Sequence, residues 1–88
     1  MSSLTHKAAE EYFDSGYLKL AGSKDYHNAI QDFDKAIEIE FNYAEAYYYR
    51  GNAKYLLNDR DGACLDWSKA AELGYIIAYK KLEINCDN

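Results

Sequence analysis

Two histidines, two cysteines and fifteen carboxylates are the side chains of this chain with the means to do chemistry. Their spacing assembles no familiar reaction centre. His6 and His27 lie 21 residues apart with no carboxylate or cysteine at ligand spacing, so both are expected as solvated histidines near helix starts, and no metal site is assigned. Gly62 and Gly74 belong to no phosphate-cradling loop, and neither GxSxG nor HExxH occurs. The carboxylates are numerous, but nothing in their spacing marks a pair as buried or perturbed. Cys64 and Cys86 are 22 residues apart without a CxxC, which indicates neither a disulfide framework nor a zinc site. Both thiols are expected to be reduced, even though the helices that carry them should pack together. No catalytic residue and no cofactor are assigned, and binding rather than catalysis is the expected role.

The organising stretch is Ala44 to Gly74, because most of it has a near copy upstream. Ala63, Trp67 and Ala70 fall 34 residues after Ala29, Phe33 and Ala36, whereas Tyr47 and Gly51 fall 35 after Tyr12 and Gly16. One residue has been added between the two halves of the first copy. Gly16 to Asp25 takes nine steps and Gly51 to Asp59 takes eight, so the addition lies in Leu20-Ala21-Gly22-Ser23-Lys24, where a turn tolerates it.

A period of about 34 residues with a small residue and an aromatic in fixed places is the signature of stacked helical hairpins. With Tyr12, Gly16, Ala29, Phe33, Ala36 and again Tyr47, Gly51, Ala63, Trp67, Ala70, the chain resembles the tetratricopeptide repeat family over roughly residues 9 to 74. It departs from the family where Ser15 and Arg50 replace a frequent Leu, Lys19 and Lys54 a frequent Tyr, and Phe41 and Tyr75 the usual Pro. The resemblance implies an all-α fold of antiparallel hairpins stacked as a short right-handed α-solenoid. It also implies a protein-binding role for the concave face lined by the first helix of each hairpin.

Composition agrees with a small globular domain. The 88 residues are 49% apolar and 28% charged, contain no proline, and can bury about 60 to 65% of the surface the unfolded chain exposes. Ten tyrosines stand out, each able to bury a ring and keep its hydroxyl wet. They either line half-buried surfaces or fill the seams between helices. A net charge of −5 opposes a phosphate backbone, so nucleic acid is not an expected partner. The run Asp32, Asp34, Glu38, Glu40 reads as a solvated helix face. No apolar run approaches the length of a membrane span, and MSSLTHKAAEE lacks an apolar leader region, which makes the cytoplasm the expected compartment.

In chain order, Thr5 is expected to cap a first helix running to about Leu20, with Ser2 and Ser3 as further hydroxyl candidates. A turn over Ala21–Lys24 leads to a second helix capped by Asp25. Asn42 with Glu45 resembles a capping box for a third helix. Asp59 caps a fourth, which ends at Gly74 in the left-handed conformation. A fifth, from about Tyr75 to Cys86, turns Tyr75, Ala78, Tyr79, Leu82 and Cys86 inward and reads as a capping helix. Ile76, Ile77 and Ile84 break its polar side, either by packing or by marking a contact surface. The whole is one domain, 1–88, with repeats at about 9–43 and 44–75 and the capping helix after them.

Tyr12–Gly16 and Tyr47–Gly51 form the expected packing face of the first and third helices. A second face carries Phe13, Tyr17 and Leu20 on one helix and Tyr48, Asn52 and Tyr55 on the other. By the resemblance these six line a peptide-binding groove, with the Asn52 amide free to bond a bound backbone. Some family members grip chaperone C-termini with lysine and asparagine, but Phe13 and Tyr17 occupy the first hairpin's clamp places here. The alternative is a self-assembling module that buries its spare apolar surface in a homo-oligomer.

Overall fold

Proline is absent, and a side chain caps each hairpin's second helix, so helix formation meets little local resistance. The computed structural model describes residues 3–86, and among these the fold is all-α. The five helices are α1 (Ser3–Leu18), α2 (Tyr26–Ile39), α3 (Ala44–Leu56), α4 (Arg60–Glu72) and α5 (Ala78–Asn85). Short connections force neighbours antiparallel, and each helix packs on the next in sequence. The Cα positions extend 39 × 28 × 16 Å.

The added residue of the first repeat is absorbed as a π-helical turn, Lys19–Ser23, with Lys24 left-handed at φ 58°. Asp25 N donates to the Lys19 carbonyl across six residues, whereas Asp59 N donates to Lys54 across five. A π turn takes up one extra residue without unwinding the helix, which is why Leu20 still reaches the core. The expected open turn at Ala21–Lys24 therefore shrinks to Lys24. At the second hairpin Asn58 (φ 68°) holds the same left-handed place. After α4, Gly74 (φ 100°) donates to the Ala71 carbonyl and Tyr75 to Ala70, the paired bonds of a Schellman end.

Asp25 and Asp59 cap as expected, accepting from the N–H groups of Asn28 and Gly62. Two other caps differ. α1 already begins at Ser3, so Thr5 lies inside it; Ser2 is outside the described residues. α3 starts after Tyr43 with no side-chain cap: Asn42 stays exposed and does not cap it, and the Tyr47 hydroxyl donates to the Phe41 carbonyl at 2.9 Å.

The repeat is visible as packing. Phe33 and Trp67 are fully buried, and the glycines lie against them: a methyl at Gly16 would stand 2.8 Å from the Phe33 ring, and one at Gly51 2.8 Å from the Trp67 indole nitrogen. Ala29, Ala36, Ala63 and Ala70 are 0% exposed, as small residues at helix crossings must be. Tyr12, expected on the packing face, is 41% exposed, since Gly16 alone makes the close approach there.

The departures from the family pattern also repeat. Ser15 Oγ and Lys19 Nζ both donate to Asp32 Oδ2, at 2.6 and 2.8 Å. At the equivalent places Arg50 grips Asp66 through two bonds of 2.8 and 2.7 Å, and Lys54 Nζ lies 3.1 Å from the same carboxylate. Arg50 also donates to Asp34 at 2.8 Å, joining the hairpins. The acidic run is therefore no solvated face. Asp32 and Asp34 are paired, Glu40 meets His6 at 2.9 Å, and Glu38 stays on the surface beside Lys35. Nor is His6 merely solvated, since the Glu40 carboxylate raises its pKa above the ordinary value.

At the C-terminal end the thiol expectation fails. Cys64 and Cys86 are joined in a disulfide, their Cα atoms 5.9 Å apart, which ties the end of α5 to the first half of α4. The spacing argument weighed motifs and compartment, whereas the fold brings the two positions within bonding reach. α5 is also shorter than expected, because Gly74 turns the chain and Tyr75–Ile77 form a turn before Ala78. Tyr75, Ala78, Leu82 and Cys86 pack inward on α4, but Tyr79 is 59% exposed.

Candidate aromatic groove

Three consecutive tyrosines on α3 project about 100° apart, so they must address three different surroundings. Tyr47 bonds Phe41 and carries the Arg50 guanidinium 5.4 Å over its ring. Tyr48 turns into the core, 8% exposed. Tyr49 points toward α1, where its ring meets Tyr17 edge-on at 5.1 Å and Phe13 at 5.8 Å, with Tyr48 5.0 Å away. Tyr75 closes the cluster, 5.0 Å from the Tyr48 ring. Such edge-to-face spacings are favourable ring geometries and fix Tyr49 in place.

On either side of Tyr49 lies a hollow. The first, about 580 Å³, is lined by Phe13, Tyr17, Tyr49 and Tyr75 together with Asp14 and Glu45. The second, about 480 Å³, shares Tyr17 and Tyr49 and continues past Leu20, Asn52 and Tyr55 to Lys24 and Lys81. The two form one aromatic trough, acidic at one end and basic at the other. Burial, then the bond to Tyr49, with Glu45 adding, pushes the Tyr75 hydroxyl up to about 12. Burial first, then Glu45, Glu10 and Asp14, does the same for the neighbouring Tyr43.

The six residues expected in a groove divide. Phe13 and Tyr17 line the first hollow, and Leu20, Asn52 and Tyr55 line the second, with Tyr17 and Tyr55 each 41% exposed. Tyr48 lines neither, because it packs with Trp67 and Ala78 in the C-terminal core. Asn52 reaches the trough wall, but its Oδ1 accepts from the Trp67 indole at 3.0 Å, and a side-chain bond to Asn52 also acts on the Tyr48 hydroxyl. Its amide is an internal strut rather than a free backbone ligand. Sequence reasoning missed Tyr49 and Tyr75 as wall residues. The signal was there in Tyr47-Tyr48-Tyr49: with two of three adjacent rings assigned, the third had to face elsewhere.

Another hollow, about 890 Å³, lies around the disulfide with Ile76, Tyr79 and Leu82. Leu65, Ile76 and Ile77 are exposed close by, at 73%, 77% and 59%. Among the described residues no three His, Cys, Asp or Glu side chains are set to hold a metal, and no helix is long and apolar enough to cross a membrane. In comparison with known proteins, no family model and no curated protein matches this chain.

Proposed function

We propose that this chain is a protein-interaction module of the tetratricopeptide type, two hairpins in a right-handed superhelical sense closed by a capping helix. It holds an extended peptide segment of another protein in the trough between α1 and α3. The observation that carries this reading is the aromatic trough itself, whose shared walls, Tyr17 and Tyr49, are fixed by contact with neighbouring rings. Rigid aromatic walls offer contact area with few rotamers to freeze, the property that concentrates binding energy in tyrosine and tryptophan. The net charge of −5 supports a protein rather than a nucleic acid as the partner. The Cys64–Cys86 crosslink favours an oxidising compartment over the cytoplasm, where thiols are kept reduced.

Panning a random dodecapeptide library against the folded chain tests the reading. Bound peptides should compete with one another, and Tyr17→Ala should weaken them at least about tenfold with no loss of helicity. Peptides indifferent to Tyr17 would place binding outside the trough. A second reading rests on a different observation, the exposed Leu65, Ile76 and Ile77 beside α5, which would suit self-association. A mass that stays at one chain as concentration rises removes it.

A further inference from the structure

We infer that the first hollow seats a basic side chain of the bound segment, an arginine or lysine, and so sets the direction in which the segment lies; this rests on the groove reading above. Four rings and two carboxylates surround the hollow, and no lysine, arginine or histidine lines it. Asp14 and Glu45 have no ion-pair partner among the described residues, whereas Asp32, Asp34 and Asp66 are each paired with a cation of another helix or turn. Glu45 stands in the first turn of α3. Among the described residues no cation stacks on the rings of this hollow. The chain's own stacked cations, Arg50 over Tyr47 and Lys81 over Trp67, both lie outside this hollow.

Ring faces attract a cation within about 6 Å, arginine above all, and flanking carboxylates add a charge that a neutral side chain cannot use. The opposite end of the trough carries Lys24 and Lys81, which repel a second cation and accept an acidic or carboxylate-bearing residue. The bound segment is therefore polar, its basic residue between α1 and α3 near Asp14 and Glu45 and its acidic end toward the π turn.

The probes are the dodecapeptides selected by panning, resynthesised with each arginine replaced by citrulline, which keeps the shape and removes the charge, and each lysine by acetyl-lysine. Binding is measured to the wild-type chain and to Asp14→Asn/Glu45→Gln, both exposed positions whose isosteric amides leave the fold intact. One basic residue should prove indispensable, its neutral replacement weakening binding about tenfold to the wild type and less than about threefold to the double variant. Peptides that compete in the trough without any basic residue, or that bind both proteins equally, overturn the inference and leave the groove standing. If no selected peptide depends on Tyr17, the groove reading itself has failed.

Discussion

A methyl placed on Gly51 would stand 2.8 Å from Trp67 Nε1 and 3.1 Å from the Ala63 carbonyl oxygen, and the second of these is backbone that cannot swing aside. Alanine is the better helix former by about 1 kcal/mol, so Gly51→Ala would stabilise an open helix. Here overpacking, at roughly 1 to 3 kcal/mol, should outweigh that gain and leave a net loss of up to about 2 kcal/mol in urea unfolding, and a gain would show the crossing to be loose. Asp66 presents the opposite hazard. It is 6% exposed and held by Arg50 and Lys54, so Asp66→Ala leaves Lys54 without its partner and Arg50 with Asp34 alone, and should cost about 3 kcal/mol. Asp32→Ala should cost only about 1 kcal/mol, because Lys19 is 39% exposed and can turn to water. Equal losses in denaturant titrations would contradict the distinction between the two pairs. Neither pair was legible in the sequence. Ser15, Lys19, Arg50 and Lys54 stood out as departures from the repeat, but their acids lie 12 to 17 residues away and meet them only once the hairpins fold.

Helix caps and turns follow local chemistry and were read well where one side chain decides them. Asp25, Asp59 and Gly74 each hold the expected place. The one-residue mismatch between repeats located the π turn to within two residues, though not its form. A cap is not legible where no side chain decides it, as at Tyr43, after which α3 starts with no side-chain acceptor for its first N–H groups. α5 was misjudged as well. Its alternation of apolar and charged residues cannot report a crosslink that only packing on α4 brings together. The disulfide spans 22 residues, and Cys64→Ser/Cys86→Ser should lower stability by about 3 kcal/mol through the freed loop. Amide exchange in α5 should accelerate more than in α1 to α4. Unchanged exchange would mean that Ala78 and Leu82 alone anchor the helix.

At the scale of the molecule, the period of 34 residues gave the architecture, because each hairpin presents the same small and aromatic pair to its own partner helix. The trough was only half legible. Of the six residues the resemblance implied, Phe13, Tyr17, Leu20 and Tyr55 line the hollows, Asn52 lines one while bonding Trp67, and Tyr48 packs in the core. Helical periodicity assigns a residue to a sector of about 100°, and α3, packed on both α2 and α4, has no sector that faces solvent alone. Replacing Tyr48 and Asn52 together should therefore unfold the C-terminal half rather than leave it intact. The central claim is that a peptide lies between α1 and α3, and the most direct measurement is a residue-resolved NMR titration with one selected dodecapeptide. The account predicts that amide shifts concentrate at Phe13, Asp14, Tyr17, Glu45, Tyr49 and Tyr55. Shifts concentrated instead at Leu65, Ile76 and Tyr79, with the trough silent, would contradict it.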